Sequence, residues 1–161
     1  MPEGGNFSRE EPVIHEIRPA TLADIRVLAR TLRPMDRAEI EGTGLCVRHT
    51  LQWLWRESLW KRCATVDGEV AAVWGVQGSV LDMDVSPWAF TAPAIEHAKL
   101  AFYRETRREI AEILTIHRRM SCLVLDEYEG AIRFFGAMGF RFGEPETVGG
   151  AKYRRMTMER T

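Results

Sequence analysis

Two apolar runs joined by an Asp-Gly pair lie near the middle of the chain, and they constrain the fold more than any other feature. The runs cover 61–66 and 69–76, and Asp67-Gly68 lies between them. Asp-Gly suits the tight two-residue turn that connects antiparallel strands, because both of its residues tolerate a positive φ. The sequence therefore predicts a β-hairpin here, and a sheet whose strands are all parallel is excluded.

Helical and strand patterns continue on both sides of this hairpin. Before it, a strand is predicted at 13–18, followed by helices at 21–32, from Pro34 onwards and at 45–59; a Thr21–Asp24 capping box opens the first helix. After it, strands are predicted at 88–91, 120–125, 140–142 and 153–158, with helices at 94–116 and from Asp126 to Gly139. This order predicts an α/β (α+β) domain with a mixed, partly antiparallel central sheet of six to seven strands and flanking helices.

The length of 161 residues suits one domain, predicted at 13–161 after a flexible N-terminal lead at 1–12. The formal net charge of -1 gives no overall field that would attract nucleic acid or anionic lipid. No apolar run approaches the roughly 20 residues of a membrane span, and the polar N-terminus does not resemble a signal peptide. We therefore expect a cytoplasmic protein without membrane or nucleic-acid partners.

The three cysteines, Cys46, Cys63 and Cys122, are widely spaced in the sequence. Their odd number and the lack of a C-x-x-C pair argue against a disulfide framework and against a zinc site. We expect buried thiols that act as small apolar side chains, and no metal-binding residues.

The segment 126–140, with the sequence DEYEGAIRFFGAMGF, carries the most specific pattern of the chain. Its Ala131-Ile132, its aromatic pair and its Gly139-Phe140 follow an apolar strand, and the opening IRPATLAD at 17–24 precedes the first helix. In these segments, and in the order of its elements, the chain resembles the GNAT superfamily of acyl-CoA-dependent N-acyltransferases. The resemblance implies acetyl-CoA as cofactor and a small-molecule or peptide amine as acceptor.

The chain departs from the superfamily pattern in two segments. The glycine-rich pyrophosphate loop corresponds to 92–101, which contains no glycine and includes Pro93 and Glu96. Glycines let backbone amides approach a phosphate closely, whereas Pro93 lacks an amide proton and Glu96 repels phosphate. The superfamily's tyrosine general acid corresponds to Phe135, and the asparagine at the start of the same helix corresponds to Tyr128.

The resemblance implies a cofactor between the strand of Trp88 and the strand of Met120. Backbone groups of Phe90, Thr91 and Ala92 are then expected to bind the pantetheine arm. The cations Lys99 and Arg104, with Arg107 and Arg108, either bind the phosphates in place of the missing glycines or form a solvated helix face with Glu105, Glu109 and Glu112.

Five side chains are candidates for proton transfer. Tyr128 either replaces the missing acid or packs at the start of its helix. Asp84, like Asp82 in the same predicted loop, is either the general base for the amine or a turn former. His49 and His97 are the other candidate bases, although a single histidine is more often structural.

A narrower resemblance runs through Pro87-Trp88-Ala89-Phe90-Thr91, Ile95, Phe102 and Arg104. These residues resemble a branch of GNAT-like proteins of short-tailed bacteriophages, some of them minor virion proteins. That branch implies a host-cytoplasmic or virion location and a protein partner. The alternative function is accordingly a non-catalytic binding or structural protein, and an edge strand at Tyr153–Met158 offers a site for homodimer pairing.

The two functions predict different structures. An open gap between the two central strands favours the enzyme, because the cofactor arm needs that space. A gap filled by Phe90, Tyr128 or Phe135 favours the binding protein.

Overall fold

The structure, a computed structural model, describes residues 15–161. The predicted lead at 1–12 and the start of the first predicted strand lie outside the described residues. The strands are β1 (His15–Pro19), β2 (Ser58–Val66), β3 (Glu69–Gln77), β4 (Asp84–Thr91), β5 (Arg119–Leu125), β6 (Arg141–Phe142), β7 (Glu146–Val148) and β8 (Ala151–Glu159). The helices are α1 (Leu22–Thr31), α2 (Pro34–Glu41), α3 (Val47–Glu57), α4 (Lys99–Ile116) and α5 (Glu129–Met138), with a 3-10 turn at Pro93–His97 before α4.

The eight strands form one sheet in the order β1-β2-β3-β4-β5-β8-β6, and β7 also pairs with β8. All neighbours are antiparallel except β4 and β5, which are parallel. The predicted mixed, partly antiparallel sheet is thus confirmed. The strand missing from the prediction is β7, whose three residues are too few to show an alternating pattern.

The predicted hairpin is present between β2 and β3. Asp67 has φ 49° and Gly68 has φ 82°. Val66 pairs with Glu69 directly beside the turn. Both turn residues therefore adopt the left-handed conformation for which this dipeptide is suited.

The helices cover the two faces of the sheet separately. Ile25, Leu28 and Leu51, from α1 and α3, pack with Val73 and Phe90 on one face. On the other face Phe102 of α4 packs with Ala72 and Trp74, which alternate with Val73 along β3, and with Phe134 of α5. The predicted capping box of α1 is present, since Thr21 and Asp24 bond to each other's backbone N–H groups.

Two of the predicted helices are too long. The helix predicted at 45–59 ends at Glu57, because Ser58 is extended (ψ 140°) and begins β2. The helix predicted at 94–116 is divided at Ala98, whose φ of -137° separates the 3-10 turn from α4. In both cases the apolar spacing suits a helix, but packing against the sheet determines where the helix begins or ends.

Asp126 does not cap α5 as predicted. The helix begins at Glu129 with Tyr128 as its N-cap, and this cap makes no side-chain hydrogen bond. Asp126 instead pairs with Arg154 of β8 at 2.5 Å. The predicted end of α5 is confirmed, because Gly139 is its left-handed C-cap at φ 108°.

The expectation that Tyr153–Met158 forms a sheet edge was wrong. These residues belong to β8, which pairs with β5 on one side and with β6 and β7 on the other. Their backbone groups are therefore engaged within the sheet.

The cysteines occupy three different environments. Cys46 is exposed, contrary to the expectation of a buried thiol, whereas Cys63 is buried and Cys122 is half-buried. Burial raises the pKa of the Cys63 thiol to about 12.

Within residues 15–161 no three His, Cys, Asp or Glu side chains are grouped to hold a metal ion. None of the helices in the same range is long and apolar enough to cross a lipid bilayer.

Candidate functional site

The parallel strands β4 and β5 separate soon after they begin. They pair at Asp84↔Arg119 and Val85↔Met120. Beyond these pairs a gap widens toward Thr91 at the end of β4 and Leu125 at the end of β5. Backbone groups that face such a gap lack a neighbouring strand, so side chains or a ligand must bind them.

Two contiguous cavities occupy this gap. The outer cavity, of about 270 Å³, lies between the end of β4 and the starts of α4 and α5. The inner cavity, of about 200 Å³, lies deeper, between β4, β5 and the middle of α4. Glu39, Ala89 and Phe135 line both cavities and mark the junction between them.

Two acidic side chains of α2 reach into the gap. Asp36 and Glu39 are three residues apart, so they lie on the same side of the helix. Asp36 accepts hydrogen bonds from the Thr91 N–H (3.1 Å), the Thr91 hydroxyl (2.8 Å) and the Tyr128 hydroxyl (2.9 Å). Glu39 accepts one from the Leu125 N–H (3.0 Å). The two carboxyl groups therefore bind backbone amides at the diverging ends of β4 and β5.

Burial changes the proton affinity of both groups. It raises the pKa of Asp36, although the bonds from Thr91 and Tyr128 oppose that change. It raises the pKa of Glu39 to about 7, against the Leu125 N–H and with a contribution from the neighbouring Asp36. A carboxyl group that titrates near neutral pH is suited to general-base catalysis.

The outer cavity carries a group of cations. Arg33, Lys99 and Arg133 line it. Glu96 lies beside two of them, 3.5 Å from Arg33 and 2.7 Å from Lys99. The N-cap of α4, Ala98, makes no side-chain hydrogen bond, so no side chain there competes for the positive end of the helix dipole. The cations and the start of α4 suit a polyphosphate, whereas Glu96 and the absence of glycine from the 3-10 turn oppose its binding.

The backbone groups expected to bind the pantetheine arm are engaged within the protein. The Thr91 N–H bonds to Asp36, and the Thr91 carbonyl accepts from the Arg33 N–H at 3.0 Å. The Ala92 N–H donates to the Ala71 carbonyl at 2.8 Å. The buried Phe90 side chain lines the inner cavity. A ligand in the gap must therefore compete with Asp36 for the Thr91 amide.

Of the other predicted residues, the structure brings Tyr128 and Lys99 to the outer cavity. Arg104 is exposed on α4 and lines neither cavity. Asp84 is in β4, not in the preceding loop, and pairs with Arg119 at 2.6 Å at the closed end of the gap.

The remaining candidates also lie away from the gap. Arg108 pairs with Glu105 and Glu112, as a solvated helix face requires. Glu109 does not belong to that face, because it is buried and pairs with Arg62. His49 and His97 are exposed and line neither cavity.

Sequence reasoning missed Asp36 and Glu39. The only signal in the sequence was a pair of acids at helical spacing after Pro34, and such acids usually face solvent. The position of α2 across the end of the gap gives these acids their role.

Aromatic side chains border the gap without filling it completely. Tyr128 extends from the start of α5 to Asp36 and so connects α5 to α2 beside the outer cavity. Phe135 packs edge-to-face against Phe134 and Phe140 and forms a wall at the junction of the cavities. The inner part of the gap is therefore open, and near its outer end the Tyr128 hydroxyl reaches across to Asp36.

Several solved structures with the same architecture are acetyltransferases by name. An acetyltransferase of the GNAT family from Streptococcus pneumoniae is 14% identical, with a TM-score of 0.61, 92% of this chain covered and 100% of that one. The ribosomal-protein-S18-alanine N-acetyltransferase from Escherichia coli is 13% identical, with a TM-score of 0.64 and 92% and 95% covered. The provisionally assigned acetyltransferase yncA from Salmonella typhimurium, solved with its cofactor acetyl-CoA, is 12% identical, with a TM-score of 0.59 and 91% and 94% covered.

No protein-family model and no curated protein sequence matches the chain. The structural likeness nevertheless extends over nine-tenths of the chain and nearly all of each relative. At these identities the likeness concerns the fold, and the chain has the fold of the GNAT acetyltransferases.

Proposed function

We propose that the protein is an acyl-CoA-dependent N-acyltransferase that acts on a primary amine. The observation that carries this proposal is the position of Glu39 in the β4–β5 gap, at the junction of the two cavities. A base is needed there, because an alkylamine is mostly protonated at neutral pH and must lose a proton to become a nucleophile.

In the proposed reaction the amine nitrogen bonds to the thioester carbonyl carbon, and the carbon–sulfur bond breaks. The sulfur keeps the electron pair of the broken bond. The ammonium nitrogen gives up two protons on the way to the amide. The first leaves before the attack and passes through Glu39 to solvent, and Glu39 accepts the second as the amide forms. Burial, with a smaller contribution from Asp36, keeps the pKa of Glu39 high. Acetyl-CoA, the donor implied by the resemblance, supplies the activated acyl group when bound.

The residues around the outer cavity fit the donor's phosphates. Arg33, Lys99 and Arg133 supply positive charge there, and α4 begins beside them. Charge of this kind can replace part of what a glycine-rich loop supplies through its backbone amides.

Tyr128 is proposed as the proton donor to the leaving sulfur. Its hydroxyl lies at the outer cavity, and burial together with Asp36 raises the pKa of that hydroxyl, so it stays protonated at neutral pH. In the structure the Tyr128 hydroxyl donates a hydrogen bond to Asp36. To protonate the sulfur, this hydroxyl must therefore turn toward the cavity.

One observation favours the alternative of a non-catalytic binding protein, such as the virion component that the phage-like segments imply. The Thr91 and Leu125 amides, which face the gap, are already bound by Asp36 and Glu39. In a protein that never binds a ligand in the gap, the backbone amides at the strand ends would be hydrogen-bonded in this way.

A thermal melt with and without acetyl-CoA separates the two functions. Ligand at a hundred times its Kd adds about 2.7 kcal/mol of stability. In a domain of this size that raises Tm by roughly 5–10 °C. Such a rise supports the enzyme. An unchanged Tm at millimolar acetyl-CoA contradicts it and favours the binding protein.

The location of the ligand is tested with Lys99→Ala, which removes a cation of the outer cavity. We expect this variant to reduce the acetyl-CoA-induced rise in Tm. Lys152→Ala is the matched control, because Lys152 is exposed on β8 and lines neither cavity. Equal rises in both variants would contradict phosphate binding at the outer cavity.

A further inference from the structure

The inner cavity is larger than the methyl group of an acetyl donor requires. Its volume is about 200 Å³, and its lining includes Trp60, Trp74 and Trp88 together with Ile110 and Met120. For comparison, an engineered apolar cavity of about 150 Å³ holds benzene, a six-carbon ring. The inner cavity therefore has room for a hydrocarbon group of about six carbons.

Most polar atoms in the wall of the inner cavity bond to each other or to the backbone. The Trp74 indole N–H donates to Glu109 at 2.5 Å, and the second Glu109 oxygen accepts from Arg62 at 3.0 Å. The Trp88 indole N–H donates to the Ser58 hydroxyl at 2.7 Å. With these groups satisfied, the wall offers mainly carbon surface to a ligand.

The remaining polar side chains of this cavity either bond within α4 or lie toward the ends of the cavity. The Thr106 hydroxyl donates to a carbonyl one turn earlier in α4, at 2.8 Å. Gln77 and Ser86 face each other across β3 and β4, near the closed end of the gap. Glu39 lies at the opposite end, at the junction with the outer cavity. A ligand that enters from the outer cavity therefore passes one carboxyl group and then meets an apolar chamber.

We propose that the inner cavity binds the hydrocarbon chain of the acyl donor, and that the preferred donor is a CoA thioester with a linear acyl chain of about six carbons. This inference rests on the proposed function, because it places the thioester at the junction beside Glu39. The two cavities then divide the donor by polarity: phosphates at the cationic outer cavity, acyl chain in the inner one.

The transfer step itself does not depend on chain length. The amine nitrogen bonds to the carbonyl carbon, the carbon–sulfur bond breaks with its electron pair on sulfur, and Glu39 receives the amine proton. The chain contributes through binding, since each methylene removed from water adds about a four-fold gain in affinity.

The test measures Kd for CoA and for its acetyl, butyryl, hexanoyl and decanoyl thioesters by titration calorimetry, with no amine present. We expect hexanoyl-CoA to bind at least ten-fold more tightly than acetyl-CoA. Decanoyl-CoA should bind no more tightly than hexanoyl-CoA, because the cavity is then full. Leaving out the amine ensures that any chain-length effect comes from the donor and not from an acceptor.

Cys122→Leu fills the inner cavity from β5, where the Cys122 side chain lines it. We expect this variant to lose the preference for hexanoyl-CoA and to keep the wild-type affinity for CoA. Cys46→Leu is the matched control, since Cys46 is exposed and lines neither cavity. Ile110→Phe fills the cavity from α4 and serves if Cys122→Leu does not fold.

The outcomes separate this inference from the proposed function. Equal affinities for acetyl-CoA and hexanoyl-CoA overturn the inference and leave the N-acyltransferase standing. A chain-length preference that persists in both cavity-filling variants also overturns it, because the chain then binds elsewhere. A failure of CoA and of every thioester to bind overturns both.

Discussion

Asp36 and Glu39 differ in hydrogen bonding although they lie one turn apart on α2. Asp36 accepts three hydrogen bonds and joins β4 to α5 through Thr91 and Tyr128. Glu39 accepts one, from the Leu125 N–H, and lines both cavities. Asp36, which accepts more hydrogen bonds, is better suited to stabilising the structure, and Glu39 is better suited to exchanging a proton.

Glu39→Gln removes the proposed base and keeps the size of the side chain. We expect kcat to fall by about 10²–10⁴-fold, the usual contribution of general acid–base catalysis. The wild-type rate should rise with pH through about 7, where the Glu39 carboxyl loses its proton. The variant should lose that rise, and a profile of kcat/KM between pH 5.5 and 9 measures both effects.

Glu41→Gln is the control for this experiment. Glu41 lies on the same helix, is exposed, and pairs with Arg37 at 3.5 Å. Its replacement should leave the rate and its pH dependence unchanged. If Glu39→Gln keeps the wild-type pH profile, Glu39 is not the base.

Tyr128→Phe removes one of the three donors to Asp36. We expect the free energy of unfolding to fall by about 1–2 kcal/mol, because a hydrogen bond to a buried charged group is lost. Urea unfolding at pH 7.5 measures the change. Tyr103→Phe is the control, since the Tyr103 hydroxyl bonds to the Ala137 carbonyl in an exposed position. Equal stability of Tyr128→Phe and wild type would contradict a structural role for this contact.

At the scale of elements, α5 begins beside the outer cavity and ends at a left-handed glycine. Tyr128 precedes its first residue, and Phe134 and Phe135 pack from its middle onto α4 and β6. Gly139 ends it at φ 108° and lets the chain turn into Phe140 and β6. The position of Tyr128 therefore depends on how this helix is held at both ends.

Gly139, the C-cap of α5, and Gly136, inside the helix, should respond to alanine with opposite effects on stability. Gly139→Ala places a side chain at a positive φ and should destabilise the protein by about 1 kcal/mol. Gly136→Ala lies inside the helix, its added methyl would be 3.6 Å from Phe142, and it should stabilise by about 0.5–1 kcal/mol. Thermal unfolding of both variants provides the measurement. Changes of the same sign would contradict this account of the helix end.

At the scale of the whole molecule, the β4–β5 gap couples stability to pH. The pKa of Glu39 is about 7 in the folded protein, above its ordinary value of 4.5. The folded state therefore holds this proton more tightly than the unfolded chain does between those pH values. Asp36, Cys122 and Tyr153 are the titratable groups that interact with Glu39.

We expect the free energy of unfolding to fall as pH rises from about 4.5 to about 7, and to be unaffected by Glu39 above that range. The loss attributable to Glu39 is up to about 3 kcal/mol. Urea unfolding of wild type and Glu39→Gln at pH 5 and 7.5 isolates this effect, because all other groups titrate in both proteins. An equal pH dependence in the two proteins would show that the folded-state pKa of Glu39 is not raised.

The features that sequence determined are local ones. Asp67-Gly68 fixes the hairpin, Thr21 and Asp24 fix the start of α1, and Gly139 fixes the end of α5. Each depends on the conformations or hydrogen bonds of a few adjacent residues, so the sequence alone contains the necessary information. The resemblance to the GNAT superfamily added the expectation of a gap between the strand of Trp88 and the strand of Met120.

Tertiary structure decided where helices stop and which acids reach the gap. Ser58 begins a strand because β2 pairs with β3 there, and Asp126 pairs with Arg154 on a distant strand. Asp36 and Glu39 meet Thr91 and Leu125 across 55 and 86 residues of sequence. Their burial, and the raised pKa of Glu39, arise only when α2 packs across the diverging ends of β4 and β5, because desolvation depends on neighbours that local sequence does not specify.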